Sequence, residues 1–120
     1  KEEQCKRTHE IIAFVQNYIE GHLSEDLSLT SLSEKTYLNA SYLSRLYHQT
    51  TGHKLSSFIE HARIKRAKEL LENPYEKIYE IARKVGYDTA ASFTRLFKKA
   101  EGMSPQEYRD TFHSAKRHES

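Results

Sequence analysis

Arg45 and Arg95 stand fifty residues apart, each inside the same short pattern, Ser/Thr-Arg-Leu-Tyr/Phe. A guanidinium on an exposed helix face can bond a guanine edge through two parallel hydrogen bonds, worth about 1–3 kcal/mol of discrimination between bases. An isolated surface arginine more often serves solvation or an intramolecular ion pair. Two at matching positions of a repeated segment are harder to assign to solvation alone, although shared ancestry with a structural role would give the same match. Lys98 and Lys99, one turn beyond Arg95, suit phosphate contact rather than base contact.

The repeat is the strongest signal in the chain. Residues 41–58 align with 91–108 at a shift of 50, matching the arginine pattern, a glycine five residues on (Gly52 and Gly102) and an aromatic six residues after that (Phe58 and Tyr108). Upstream, Leu32-Ser33-Glu34-Lys35 pairs with Ile81-Ala82-Arg83-Lys84 at a shift of 49, so the two turns differ by one residue. Two copies are too few for a solenoid, in which three or more units stack. Duplicated helix-turn-helix units explain the pattern better.

Each copy then needs a helix, a tight turn and a second helix. In the first, Ser31 with Glu34 matches a capping box, with Leu29, Leu32 and Tyr37 as an apolar stripe. After a break at Leu38 and Asn39, Tyr42, Leu43, Leu46 and Tyr47 form the next apolar face, stopped by Gly52. In the second, Ile78, Ile81, Ala82 and Val85 make a short helix, Gly86 to Asp88 the turn, and Thr89 to Glu101 the following helix. Residues of such a unit that reach base edges lie in the N-terminal half of its second helix. They are Asn39, Ser41, Ser44 and Arg45 in the first copy, and Thr89, Ala90, Ala91, Thr94 and Arg95 in the second. Helical spacing sets Ser41, Ser44 and Arg45 opposite a buried Leu43 and Leu46 pair.

Between the copies, Leu55 to Glu72 carries apolar residues at helical spacing with no internal glycine or proline, and Asn73-Pro74 closes it. Arg63, Lys65, Arg66 and Lys68 fall on its other faces, where solvation is the plain reading. A helix of that length spans about 27 Å. Successive exposures of one groove face are about 34 Å apart, so the helix can act as a ruler between two reading helices. A packing helix over His9 to Leu23 precedes the first copy. Ser104, Pro105 and Glu107 open a last helix, with the tail fraying from about Ala115. The expected architecture is all-α, divided into residues 1–54, a linker helix over 55–73, and 74–120.

Bulk properties agree without deciding. Residues 1–27 hold 3 basic and 6 acidic side chains, net −3, while 28–120 hold 16 basic and 11 acidic, net +5, a weak lean of the body toward a polyanion. One cysteine, Cys5, excludes an internal disulfide and a cysteine-based zinc site and fits a reducing compartment, with the cytoplasm expected. No apolar run approaches the roughly 18 residues of a membrane span. A start at Lys1 rather than Met suggests a piece of a longer protein.

The stretches I-Y-E-I-A-R-K-V-G-Y, S-F-T-R-L-F-K-K and G-M-S-P-Q-E-Y-R, with A-R-I-K-R-A-K-E-L-L before them, resemble the DNA-binding domain of the AraC/XylS family of bacterial transcription regulators over about Ile11 to Arg109. The resemblance implies seven helices, two tandem helix-turn-helix subdomains joined by the long central helix, and double-stranded DNA held in adjacent major grooves. It implies activation of transcription beside a promoter, with RNA polymerase as a partner; no cofactor is expected. It carries base reading onto Ser41, Ser44, Arg45, Ala90, Ala91, Thr94 and Arg95, and backbone contacts to phosphate onto the helix starts near Thr30 and Lys77. The opening Y-I-E-G-H-L-S-E-D-L-S-L-T-S-L-S-E resembles the branch that follows a receiver domain in two-component response regulators, and a ligand-binding partner domain fits equally well. This chain departs from the family at Ser33, where a small alanine is usual, and at Tyr47-His48, where Phe-Lys is usual. The tip of the second reading helix, Ala90-Ala91-Ser92, has few hydrogen-bonding groups.

Other classes fare worse. Seven histidines are scattered without a carboxylate pattern, and no nucleophile, base and orienter come together, so an enzyme is not expected. Cys5 and His9 have the spacing of a helical ligand pair, but no third ligand is implied. A helical adaptor that binds protein, such as polymerase, with little DNA affinity is the remaining alternative.

Overall fold

The computed structural model describes the backbone of residues 2–119 and the side chains of residues 6–114, so the Cys5–His9 pairing lies outside the described residues. Among these there are seven helices and no strand: α1 (Glu2–Gly21), α2 (Leu29–Thr36), α3 (Ala40–Thr51), α4 (Leu55–Leu70), α5 (Ile78–Lys84), α6 (Ala90–Glu101) and α7 (Pro105–Glu119). No described helix is long and apolar enough to cross a membrane.

Local chemistry sets most of these boundaries. α2 starts from Ser28, whose Oγ accepts from the Ser31 N–H at 3.2 Å, and not from the expected cap at Ser31. Three serines stand in S-L-T-S-L-S, and the extended backbone at Ser28 selects the first. α7 has the full capping box: Ser104 Oγ accepts from the Glu107 N–H at 3.1 Å and the Ser104 N–H donates to Glu107 Oε1 at 3.4 Å, with Pro105 at the first helical position. α1 begins upstream of the expected His9, and α4 ends at Leu70, before Asn73 and Pro74. α7 continues to Glu119, past Ala115 where fraying was expected.

The chain forms two compact units, residues 1–62 and 63–120. In the first, Ile12, Val15 and Ile19 of α1 meet Leu32, Leu43 and Tyr47 of the first helix-turn-helix, with Leu55 and Ala62 of α4. Phe14, on the same helix, is half exposed. In the second, Ile64 and Ala67 of α4 pack with Ile81, Ala82, Phe93 and Phe97. α4 therefore divides its buried residues between the two cores. Its basic side chains are partly committed: Arg66 pairs with Glu69 at 2.8 Å, Lys68 with Glu101 at 3.2 Å, and Arg63 lies 5.5 Å from the Tyr87 ring centroid.

The two turns are built alike. The Leu38 N–H donates to the Ser33 carbonyl at 3.1 Å, and the Tyr87 N–H to the Ala82 carbonyl at 2.8 Å, the equivalent pair at the shift of 49. Both turns need a left-handed residue, supplied by Gly86 (φ 97°) in the second and by Tyr37 (φ 59°) in the first. Tyr37 is 95% exposed, so its ring finds no core to compensate the backbone strain. The extra residue of the second turn is Asp88, after which Asn39 and Thr89 fall back into step.

Candidate nucleic-acid interface

α3 and α6 are each twelve residues long, start from a polar cap and end at a left-handed glycine with φ 79°. Asn39 Oδ1 accepts from the backbone N–H groups of Ser41 and Tyr42 at 2.9 and 3.2 Å, and Thr89 Oγ1 from that of Ser92 at 3.1 Å. Both residues had been expected to read bases, and both spend their side-chain oxygen on holding the helix tip. What remains of Asn39 for an outside partner is its amide NH2.

Each helix buries one narrow stripe. In α3 the fully buried pair is Leu43 and Tyr47 rather than Leu43 and Leu46, since Leu46 is only half-buried. In α6 it is Phe93 and Phe97, the same positions. Tyr47 keeps a phenol in the core because Gln16 Nε2 donates to its oxygen at 3.1 Å, whereas Phe97 packs against Phe93 and Tyr108 with ring centroids 5.7 Å from each. An i, i+4 buried pair fixes the opposite face. Ser41, Ser44 and Arg45 are exposed there in α3, and Ala91 and Arg95 in α6, with Ala90 and Thr94 half-buried.

Among the described residues, Arg45, Arg95, Lys98 and Lys99 enter no ion pair, and Lys98 and Lys99 are exposed. The acid nearest in sequence, Glu101, is held by Lys68. Thr30 lies exposed in the first turn of α2, where its carbonyl accepts from Ser33 Oγ at 2.7 Å. That bond turns the Ser33 hydroxyl back onto its own helix, where the family resemblance leads to the expectation of alanine. Lys77 precedes α5 without a side-chain cap bond, its ammonium 5.8 Å from the Tyr79 ring centroid.

Sequence periodicity assigns Tyr42 to the apolar face, yet it is 46% exposed, next in sequence to the exposed Ser41. Its repeat partner is Ser92, and a polar residue there was the available sign that the position is not core.

Two faces of this kind, one per copy, on helices preceded by a tight turn, define paired helix-turn-helix units. The helix-turn-helix domain family matches residues 32–111, two-thirds of the chain. The chain belongs to the AraC-type family of DNA-binding transcription regulators. It is 30% identical over 110 residues to the HTH-type transcriptional regulator YijO of Escherichia coli (strain K12), covering 92% of this chain and 39% of that protein. Its fold matches the C-terminal domain of AraT, a response regulator from Geobacillus stearothermophilus, with TM-score 0.80 and 40% identity over 84% of each chain. It also matches the C-terminal domain of the two-component response regulator yesN from Fusobacterium nucleatum, with TM-score 0.77 and 34% identity over 81% of this chain and 95% of that one. The chain thus spans well under half the length of the regulator YijO.

Proposed function

We propose that this AraC-type domain inserts α3 and α6 into adjacent major-groove segments of one duplex and reads bases with Ser41, Ser44 and Arg45 from the first and Ala90, Ala91, Thr94 and Arg95 from the second. The carrying observation is that Arg45 and Arg95 are both exposed, free of ion pairs and opposite an identically placed buried pair. Lys77, Lys98 and Lys99, with the helix starts near Thr30 and Lys77, hold phosphates and set the register. α4 contributes to both cores and acts as the ruler between the units. Direct readout is weighted to the first copy, because Ala90 and Ala91 offer methyl groups for thymine but no donors.

Within a longer protein that carries a receiver or effector-binding domain, the bound domain activates transcription through contact with RNA polymerase. The likeness to response-regulator C-terminal domains supports a receiver as that partner.

Salt tests this reading directly. Three lysine–phosphate contacts give a log–log slope of at least about −2.7, which is roughly a 40-fold loss of affinity for duplex DNA between about 50 and about 200 mM salt. Fluorescence anisotropy with a labelled duplex would measure it. Negligible binding at the lower salt would instead support a protein-binding adaptor.

A further inference from the structure

The first unit contains a groove of about 710 Å³ between the start of α2, the outer face of α3 and the start of α4. Leu29 and Ile59 contribute to its apolar floor, Arg45 and His48 line it from α3, and Lys54 lines it from the residue preceding α4. No acidic side chain lines it. Neither Arg45 nor Lys54 enters an ion pair among the described residues. A cationic groove of this kind is electrostatically complementary to a polyanion and needs no internal charge to be displaced first.

The repeat sharpens the role of Lys54. Its partner in the second unit is Ser104, which caps α7 through its hydroxyl. Lys54 occupies the same place before α4 and has no side-chain oxygen with which to cap, although its carbonyl accepts from the Ser57 and Phe58 N–H groups at 3.1 and 3.3 Å. At the neighbouring repeat position the exchange runs the other way. Lys98 of α6 corresponds to His48 of α3, so the first unit lacks a permanent cation where the second has one. Lys54 supplies a permanent cation to the same groove from just before the adjoining helix.

Resting on the DNA reading above, we infer that this groove seats one strand of the duplex backbone beside the inserted α3, with Lys54 on a phosphate and the apolar floor against deoxyribose. Arg45 belongs to both the groove and the base-reading face, so the strand would run on continuously from the bases that α3 reads. Lys54 thereby does for the first copy what Lys98 does for the second.

The test compares the unaltered chain with Lys54→Ser and Lys54→Arg by anisotropy against a duplex selected by the unaltered chain, over a salt series. Removing one phosphate contact should lower the magnitude of the log–log slope by about 0.9 and weaken binding roughly 5- to 10-fold near 100 mM salt. Base preference should not change. The Lys54→Ser thermal midpoint should stay level or rise, because serine can cap α4 as Ser104 caps α7. Lys54→Arg should restore the slope. An unchanged slope and affinity in a folded Lys54→Ser variant would overturn the groove assignment while leaving base reading intact, as would a change in base preference. Failure of the unaltered chain to bind any duplex would overturn the DNA reading beneath it.

Discussion

Phe97→Ala is expected to lower the stability of the second unit by about 3–5 kcal/mol. The ring is fully buried and sits between Phe93 and Tyr108, and Phe93 in turn meets Tyr87 with centroids 5.6 Å apart. Truncation removes the ring's own burial and strips partners from the aromatic rings it touches, in a core drawn from only 58 residues. A domain of that size holds in total about 3–9 kcal/mol, so the loss takes at least about a third of what is available. At about 4–8 °C per kcal/mol, circular dichroism should show the thermal transition of this unit falling by more than about 12 °C. A fall of only a few degrees would mean that neighbouring side chains refill the site. α6 would lose the stripe that fixes which way Arg95 faces, so DNA affinity should fall together with the helical signal.

Arg109→Ala is the second large effect, about 2–4 kcal/mol, and it comes from hydrogen bonds rather than area. Arg109 is only 7% exposed. Its Nε donates to the Leu71 carbonyl at 3.4 Å and its Nη2 donates to the Glu76 carbonyl, so one guanidinium ties α7 to both ends of the connection between α4 and α5. Alanine leaves those carbonyls without that donor and opens space beside them. Arg109→Lys should recover little, because an ammonium on a flexible stem lacks the rigid fork that reaches two carbonyls at once. Urea unfolding of the two variants decides the matter: a midpoint for Lys close to that of the unaltered chain would show that charge, not fork geometry, is what α7 supplies.

Arg109 also shows where sequence reasoning stopped. In Q-E-Y-R-D it looks like any surface arginine, because its partners are backbone carbonyls 33 and 38 residues away that carry no side-chain signature. The cap of α2 was misplaced for a related reason, since every serine in S-L-T-S-L-S can bond a backbone N–H and only the extended conformation at Ser28 chooses among them. Tyr37 gave no sign of its left-handed backbone until the equivalent turn placed Gly86 at its position. Tyr42 misled because tyrosine serves equally as core and as amphipathic surface.

What the chain did disclose came from features that depend on spacing alone. The i, i+3 and i+4 recurrence of apolar residues located most of the helices and the capping pattern at Ser104 the last, with errors concentrated at their ends. The shift of 50 matched Gly52 to Gly102, which prove to share one backbone angle, and matched Tyr47 to Phe97, which prove to share one burial. Most of the residues expected to meet DNA lie exposed for the same reason, since burying Leu43 with Tyr47 and Phe93 with Phe97 leaves an arginine on the far side of each helix. The caps Asn39 and Thr89 sit at the helix tips, and their local hydrogen bonds could not be separated from base reading by spacing.

Selection of bound duplexes from a random library by the unaltered chain and by Arg45→Ala tests the central claim most directly. Two recognition helices on one chain predict two short motifs about one helical turn apart, with no palindromic relation between them. Arg45→Ala should erase the preference within one motif, at about 1–3 kcal/mol for the base concerned, and leave the other standing. On the proposed weighting of readout to the first copy, Arg95→Ala in the same selection should cost less information. A single motif from the unaltered chain, or an Arg45→Ala pattern indistinguishable from it, would contradict the account.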